Sequence, residues 1–246
     1  MTEELFREDA TLLSCEATVL ACDDAGVVLD RTVFYPLGGG QAGDAGTLTA
    51  ASGAVLRIAD ARKHPARPGD IAHVPAAGAD VSALLSTFAP GTRVVAAVDA
   101  VRRHAHMRFH TATHLLCALV PHPVDGCSIT AGYARLDFHM NEPLEKQALT
   151  DGIARLVAEA RPVRHRWISE AELDANPQLV RSMSVQPPRG TGRVRVLEIE
   201  GVDLQPCGGT HVANTAEVGT VIVTKIEKKS AMTRRVVLGF AEPAAG

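Results

Sequence analysis

Arg108-Phe109-His110-Thr111-Ala112-Thr113-His114-Leu115-Leu116 is the stretch on which the reading of this chain turns. It lies in a run from Val101 to Val120 without glycine or proline, with Met107, Leu115, Leu116 and Leu119 near helical spacing, so a helix is expected. In a helix His110 and His114 stand one turn apart on the same face, with about 6 Å between their Cβ atoms. Two imidazoles so placed can ligate one transition metal, and zinc is the usual guest of nitrogen and sulfur donors. Far downstream, Pro206-Cys207-Gly208-Gly209-Thr210-His211 offers a thiol and an imidazole four residues apart, and Pro206 holds the entry extended. His106 stands in the same spacing to His110, so spacing alone does not choose between them. The company of Cys207 and His211 favours His110, His114, Cys207 and His211 as the ligand set, with His106 in reserve.

Composition bounds the rest. A chain of 246 residues forms one large domain or two modest ones. Hydrophobic residues at 46% and charged residues at 22% fit a globular protein. No apolar run reaches the ~20 residues that cross a bilayer, so no membrane partner is expected. The acidic N-terminus lacks a signal-peptide core. Five cysteines with scattered spacing make no disulfide framework, and a reducing cytoplasm is the expected location. A net charge of −3 argues against a general nucleic-acid coat and against DNA as a partner, but permits a local basic patch. Arg102, Arg103 and Arg108 lie near the histidines, and Lys225, Lys228, Lys229, Arg234 and Arg235 form a second cluster. With only 4% aromatic residues, a platform that stacks several bases is excluded.

From Thr11 to about Val98 the pattern is of short strands: 14–21, 26–32, 46–49, 54–61, 70–74 and 93–98, separated by turn residues such as Asp23-Asp24-Ala25 and Ser52-Gly53. This predicts a small antiparallel β-barrel, with a short helix over 81–87. A boundary near Asp99 divides the chain into domains 1–98 and 99–246. The second region reads as α+β: after the histidine helix, strands over 128–130 and 134–139 and an amphipathic helix over 143–160. A strand over 162–168 and a short helix over 169–173 started by Ser169-x-x-Glu172 follow, with an exposed loop at 186–190. Strands over 193–199, 218–227 and 233–240 close the chain.

Tyr35-Pro36-Leu37-Gly38-Gly39-Gly40-Gln41 stands apart within the first region. Consecutive glycines let backbone amides approach a ligand and accept positive φ, so Gly38, Gly39 and Gly40 either cradle a terminal ribose or phosphate or form a tight connection. The Lys-Ser/Thr of a nucleotide P-loop is missing.

Taken in order, that glycine stretch with Asp44 and Gly46, the segment 108–116, Ala134-Arg135-Leu136-Asp137-Phe138, and Pro206-Cys207-Gly208-Gly209-Thr210-His211-Val212 with Asn214-Thr215 and Glu217-Val218-Gly219 closely resemble alanyl-tRNA synthetase editing domains. No aminoacylation core precedes them, so the chain resembles the freestanding alanyl-tRNA editing proteins of the AlaX type, in the longer form that carries the barrel. Threonyl-tRNA synthetases have a related domain, but the Gly208-Gly209-Thr210 spacer and the glycine stretch look like the alanyl branch.

The resemblance implies a zinc-dependent hydrolase that removes serine from mischarged tRNA(Ala), with glycine as a further candidate substrate and the balance between the two left open, in a two-layer α/β domain following the barrel. A site that hydrogen-bonds the seryl hydroxyl can separate serine from alanine by about 10⁴-fold or more, where an activating pocket achieves only about 10². Thr130 is the expected hydroxyl contact, with Thr111 and Gln41 as further candidates, and Gly38 to Gly40 with Arg102, Arg103 and Arg108 as tRNA contacts. Four protein ligands suggest a closed structural zinc, whereas catalysis needs an open position. The ion either expands its coordination, has one loose ligand, or only shapes the pocket. A non-catalytic zinc-stapled RNA- or protein-binding module and a threonyl-type editor are the alternatives; oligomeric state is not legible.

Overall fold

The computed structural model describes residues 1–78, 86–183, 190 and 192–241, in two compact units: residues 1–38 with 42–104, and 39–41 with 105 onward. The fold is α+β. Most of the helix expected over 81–87 and of the loop expected over 186–190 lies outside the described residues.

The first unit is a closed antiparallel barrel. Its strands are β2 (Ser14–Asp23), β3 (Gly26–Leu29), β5 (Gly46–Ala50), β6 (Val55–Lys63), β7 (Ile71–Pro75) and β8 (Arg93–Val98), in the order β2-β3-β7-β6-β5-β8. Beside it β1 (Glu3–Glu4) pairs in parallel with β4 (Arg31–Thr32). Alternation decides which side chains turn inward: along β8, Val94, Ala96 and Val98 are buried while Val95 is exposed. These join Phe6, Val19, Leu29, Phe34, Leu48 and Ile71 in one apolar core.

Two details depart from the sequence pattern for identifiable reasons. β2 runs on to Asp23 because it pairs with Gly26 across a two-residue turn, where Gly26 has φ +130° and a Cβ would meet the His73 carbonyl at 2.4 Å. The strand expected over 26–32 breaks at Asp30, whose Oδ1 accepts from the Thr18 and Arg31 amides, so Arg31–Thr32 leaves the barrel to pair with β1.

The second unit takes most of α1 (Ala100–Leu119) and places β9 (Val124–Ile129) and β10 (Ala134–His139) next to β15 (Thr233–Phe240) and β14 (Val221–Ser230), in the antiparallel order β14-β15-β10-β9. Buried Ala134, Leu136 and Phe138 define the covered face of β10, and Phe109 of α1 stacks on Phe240 at 4.0 Å between centroids. The second helix, α2 (Lys146–Ala158), lies along β14. A Cβ on its Gly152 would sit 2.8 Å from Leu119 of α1. The helix starts at Lys146 rather than 143: Glu145 takes the extended cap position.

A smaller sheet, β11 (Val163–Ser169), β12 (Arg193–Ile199) and β13 (Asp203–Pro206), carries the helical turn α3 (Glu170–Asp174), whose Ser169 Oγ accepts from the Glu172 amide at 3.0 Å. Segment 39–41 runs beside β9: the Ile129 N–H donates to the Gly40 carbonyl at 2.7 Å, and Gln41 bridges Ile129.

Candidate metal centre

The uninterrupted α1 sets His110 and His114 one turn apart, with ring centroids 5.6 Å apart. β13 ends at Pro206, and the chain then turns so that His211 comes 4.2 Å from the His110 ring and 5.1 Å from the His114 ring, centroid to centroid. One ligand atom from each of His110, His114, Cys207 and His211 lies within 4.8 Å of the others. Cys207 Sγ is 3.4 Å from His110 Nε2 and 3.2 Å from His211 Nε2. The turn requires glycine, because a Cβ at Gly209 would fall 2.1 Å from His110 Cε1. It is held by Arg195, whose Nη1 donates to the carbonyls of Cys207 at 2.9 Å and Gly209 at 3.1 Å.

Behind each imidazole stands a different polar group. His110 Nδ1 meets Gln41 Oε1 at 2.7 Å, and Gln41 is itself fixed by Thr210, donating to its hydroxyl at 2.9 Å and accepting from its amide at 3.1 Å. His114 Nδ1 meets Asp203 Oδ2 at 2.7 Å, and His211 Nδ1 lies 3.2 Å from Thr111 Oγ1. With Nδ1 engaged, Nε2 of each ring is the atom available at the centre.

The thiol and the imidazoles of the cluster shift one another's pKa values. Burial alone would raise the Cys207 thiol, but the His110 and His211 charges hold it well below its ordinary value. Burial and then the His110 charge push His211 well below 6.5. Burial likewise works against a charged His114, yet the hydrogen bonds of Asp203 and Cys207 raise it to about 10. A thiolate and three imidazoles in one buried cluster form a nitrogen–sulfur donor set that fits a divalent transition metal.

The other residues expected at the site fall elsewhere or serve differently. His106 is buried but stands outside this group of four. Gln41 and Thr111 are buried behind the imidazole rings, their polar atoms directed at His110 and His211. Thr130 closes the turn between β9 and β10: its hydroxyl donates to the Tyr133 carbonyl at 3.0 Å and accepts from the Tyr133 amide at 3.1 Å.

Gly39 is exposed with φ +58°, whereas at Gly40 (φ +86°) a Cβ would meet the Cys127 side chain at 2.8 Å. That glycine accommodates packing. Gly38 is partly buried and its carbonyl accepts from the Tyr35 hydroxyl at 2.8 Å.

Arg103 requires correction as an RNA contact. It is fully buried in the barrel unit, ion-paired to Asp44, and donates to the carbonyls of Val33 and Ala10. Arg102 Nη2 donates to the Gly43 carbonyl at 3.1 Å. Arg108 Nε donates to the Val218 carbonyl at 2.8 Å, with its guanidinium over the Phe240 ring at 4.0 Å.

In the later basic cluster, Arg235 is tied to Asp137 and Lys225 to Glu227, each at 2.7 Å, and Arg234 is buried. Lys228 and Lys229 are exposed.

Asp203 and Gln205, which the sequence reading did not single out, stand behind His114: Asp203 Oδ2 lies 2.7 Å from its Nδ1, and Gln205 Nε2 donates to both carboxylate oxygens at 2.9 Å. Asp203 and Gln205 share the buried face of β13, two residues apart and just before Cys207, and that two-residue period leading into the Cys-x-x-x-His segment is the signal that could have found them.

Residues 194–237 match the family model described as the threonyl and alanyl tRNA synthetase second additional domain, and residues 8–102 match that of class II (A) tRNA synthetases. The alanyl-tRNA editing protein AlaX-M of Methanosarcina barkeri is 36% identical over 244 residues, covering 96% of this chain and 98% of that protein. That of Saccharolobus solfataricus is 30% identical over 241 residues, with the same two coverages of 96% and 98%. An alanine–tRNA ligase of Thermofilum pendens is 34% identical over 99% of this chain, which corresponds to 26% of the ligase. Similar along nearly its whole length to proteins of matching size, the chain belongs to the alanyl-tRNA editing protein family.

Proposed function

We propose that this protein is an aminoacyl-tRNA deacylase acting in trans, which hydrolyses the ester joining serine, with glycine as a further candidate, to the terminal adenosine of mischarged tRNA(Ala). The observation that carries the proposal is the convergence of His110, His114, Cys207 and His211 in a chain whose full-length relatives are named alanyl-tRNA editing proteins. Zinc is the proposed metal, since imidazole nitrogens and a cysteine sulfur are among its preferred donors. When bound it would supply Lewis-acid polarisation of the ester carbonyl and hydroxide near neutral pH. The chain's own groups hold and orient. Gln41 and Thr111 fix the ring planes of His110 and His211. Thr130 is proposed to meet the seryl hydroxyl from the 130–133 turn. Domain 99–246 carries the chemistry and domain 1–98 helps hold tRNA, with Gly38, Gly39, Gly40, Arg102 and Arg108 on the RNA side. The proposed place of work is the cytoplasm, where tRNA is charged and used; among the described residues no helix is long and apolar enough to cross a membrane.

One observation favours a second reading. Four protein ligands suit a structural zinc, in which case the chain is a binding module rather than an enzyme. Incubating the purified, zinc-loaded protein with Ser-, Gly-, Thr- and Ala-charged tRNAs separates the two. Deacylation of Ser-tRNA(Ala) well above that of Ala-tRNA(Ala) is expected. No hydrolysis of any of them would leave the binding module, and preference for a threonyl-tRNA family substrate would assign the other branch.

A further inference from the structure

Asp203 lies behind the centre on β13, with its carboxylate fully buried and Oδ2 2.7 Å from His114 Nδ1. Gln205 Nε2 donates to both of its oxygens, each at 2.9 Å. Among the described residues, its ion-pair partner is His114 rather than a lysine or arginine. A carboxylate so placed is costly to bury unless positive charge stands close by. The other two imidazoles rest on uncharged groups, the Gln41 amide and the Thr111 hydroxyl. Asp203 and Gln205 alternate on the buried face of β13, and Cys207 follows directly after the strand's last residue, Pro206, so a single segment delivers the carboxylate, its clamp and a ligand.

We infer that Asp203 is the positioning carboxylate of the centre. It holds the His114 ring with Nδ1–H on the carboxylate and Nε2 turned toward the metal, and together with the Cys207 thiolate it balances a divalent cation. Gln205 keeps the carboxylate from turning away. A carboxylate hydrogen bond makes an imidazole a better donor than an amide or hydroxyl does, so His114 becomes the most firmly held of the three nitrogen ligands.

This rests on the metal reading, and the test separates the two. Zinc affinity is measured by competition with a chromophoric chelator, alongside the visible spectrum of the cobalt(II)-loaded protein, for wild type, Asp203→Asn, Asp203→Leu and Gln205→Met. Thermal unfolding of the metal-free proteins reports any packing defect separately. Asp203→Asn, which keeps a bond acceptor but loses charge, is expected to bind zinc about 10-fold more weakly. Asp203→Leu, which frees the ring, is expected to lose about 100-fold and to alter the cobalt spectrum. Should Asp203→Leu fail to fold, Asp203→Asn and Gln205→Met carry the comparison, both expected to bind more weakly than wild type. Folded variants with wild-type zinc affinity and an unchanged cobalt spectrum would overturn the role of Asp203. A wild-type protein that takes up neither metal would instead remove the metal reading itself.

Discussion

At the scale of single residues, each imidazole of the cluster has its own polar group at Nδ1: Gln41 for His110, Asp203 for His114 and Thr111 for His211. His110 and His114 announce themselves because a four-residue offset in a run without glycine or proline has one geometric consequence. Cys207 and His211 are legible by the glycines between them. Asp203 is not, because a carboxylate in a short strand looks like a solvated residue until the partner ring is in place. Gln41 and Thr111 stand out in the sequence as candidate substrate contacts, yet their polar atoms face the imidazoles and orient them.

Thr130 is the residue whose proposed role can be separated from a local structural one. Its hydroxyl ties the 130–133 turn together, so Thr130→Val removes both the turn bonds and any contact with a seryl hydroxyl. Hydrolysis of Ser-tRNA(Ala) is expected to fall by about tenfold or more while Gly-tRNA(Ala), which has no hydroxyl to lose, changes little. Parallel single-turnover assays on the two substrates check this, and equal losses would reduce Thr130 to a turn residue.

At the scale of elements, strand alternation gave the barrel strands to within a few residues, and the departures come from side-chain hydrogen bonds that alternation cannot encode. Asp30 ending β3 is one such case. Arg103 is another: nothing in a run of two arginines says that the second is enclosed by the barrel and paired with Asp44, whose Oδ2 also accepts from the Tyr35 amide at 2.7 Å. Arg103→Met leaves that carboxylate buried without its cation and is expected to cost about 3–5 kcal/mol in urea unfolding. A variant of wild-type stability with weaker, less salt-dependent tRNA binding would return Arg103 to the RNA surface.

The barrel also carries a pH-sensitive element. His73 is fully buried between the Thr32 hydroxyl at 2.7 Å and the Val27 carbonyl at 2.8 Å. Burial lowers its pKa from 6.5 to about 4, against the opposing hydrogen bond to Val27. Between those values the unfolded chain binds a proton that the folded one refuses. Stability therefore falls as pH drops from about 6.5 toward 4, by about 3 kcal/mol in all. Urea unfolding at pH 7.5 and pH 5 is expected to show a smaller difference in His73→Gln than in wild type. Equal differences in the two proteins would mean that His73 is not the source.

At the scale of the whole molecule, the sequence carried the α+β class and the order barrel then editing-type region, because local periodicity and motif order survive without coordinates. It did not carry the assignment of residues 39–41 alongside β9, which depends on main-chain pairing of Gly40 and Gln41 with Ile129. That pairing brings Gln41 to the His110 ring, 69 residues further along the chain, at 2.7 Å. The central claim is that four side chains from two distant segments hold one metal, and that this metal is needed for ester hydrolysis. The most direct measurement is bound zinc, determined alongside Ser-tRNA(Ala) deacylation, in folded Cys207→Ala protein. The predicted result is loss of zinc at equilibrium with a chelator and a fall in deacylation of about 100-fold; full zinc with full activity would contradict it.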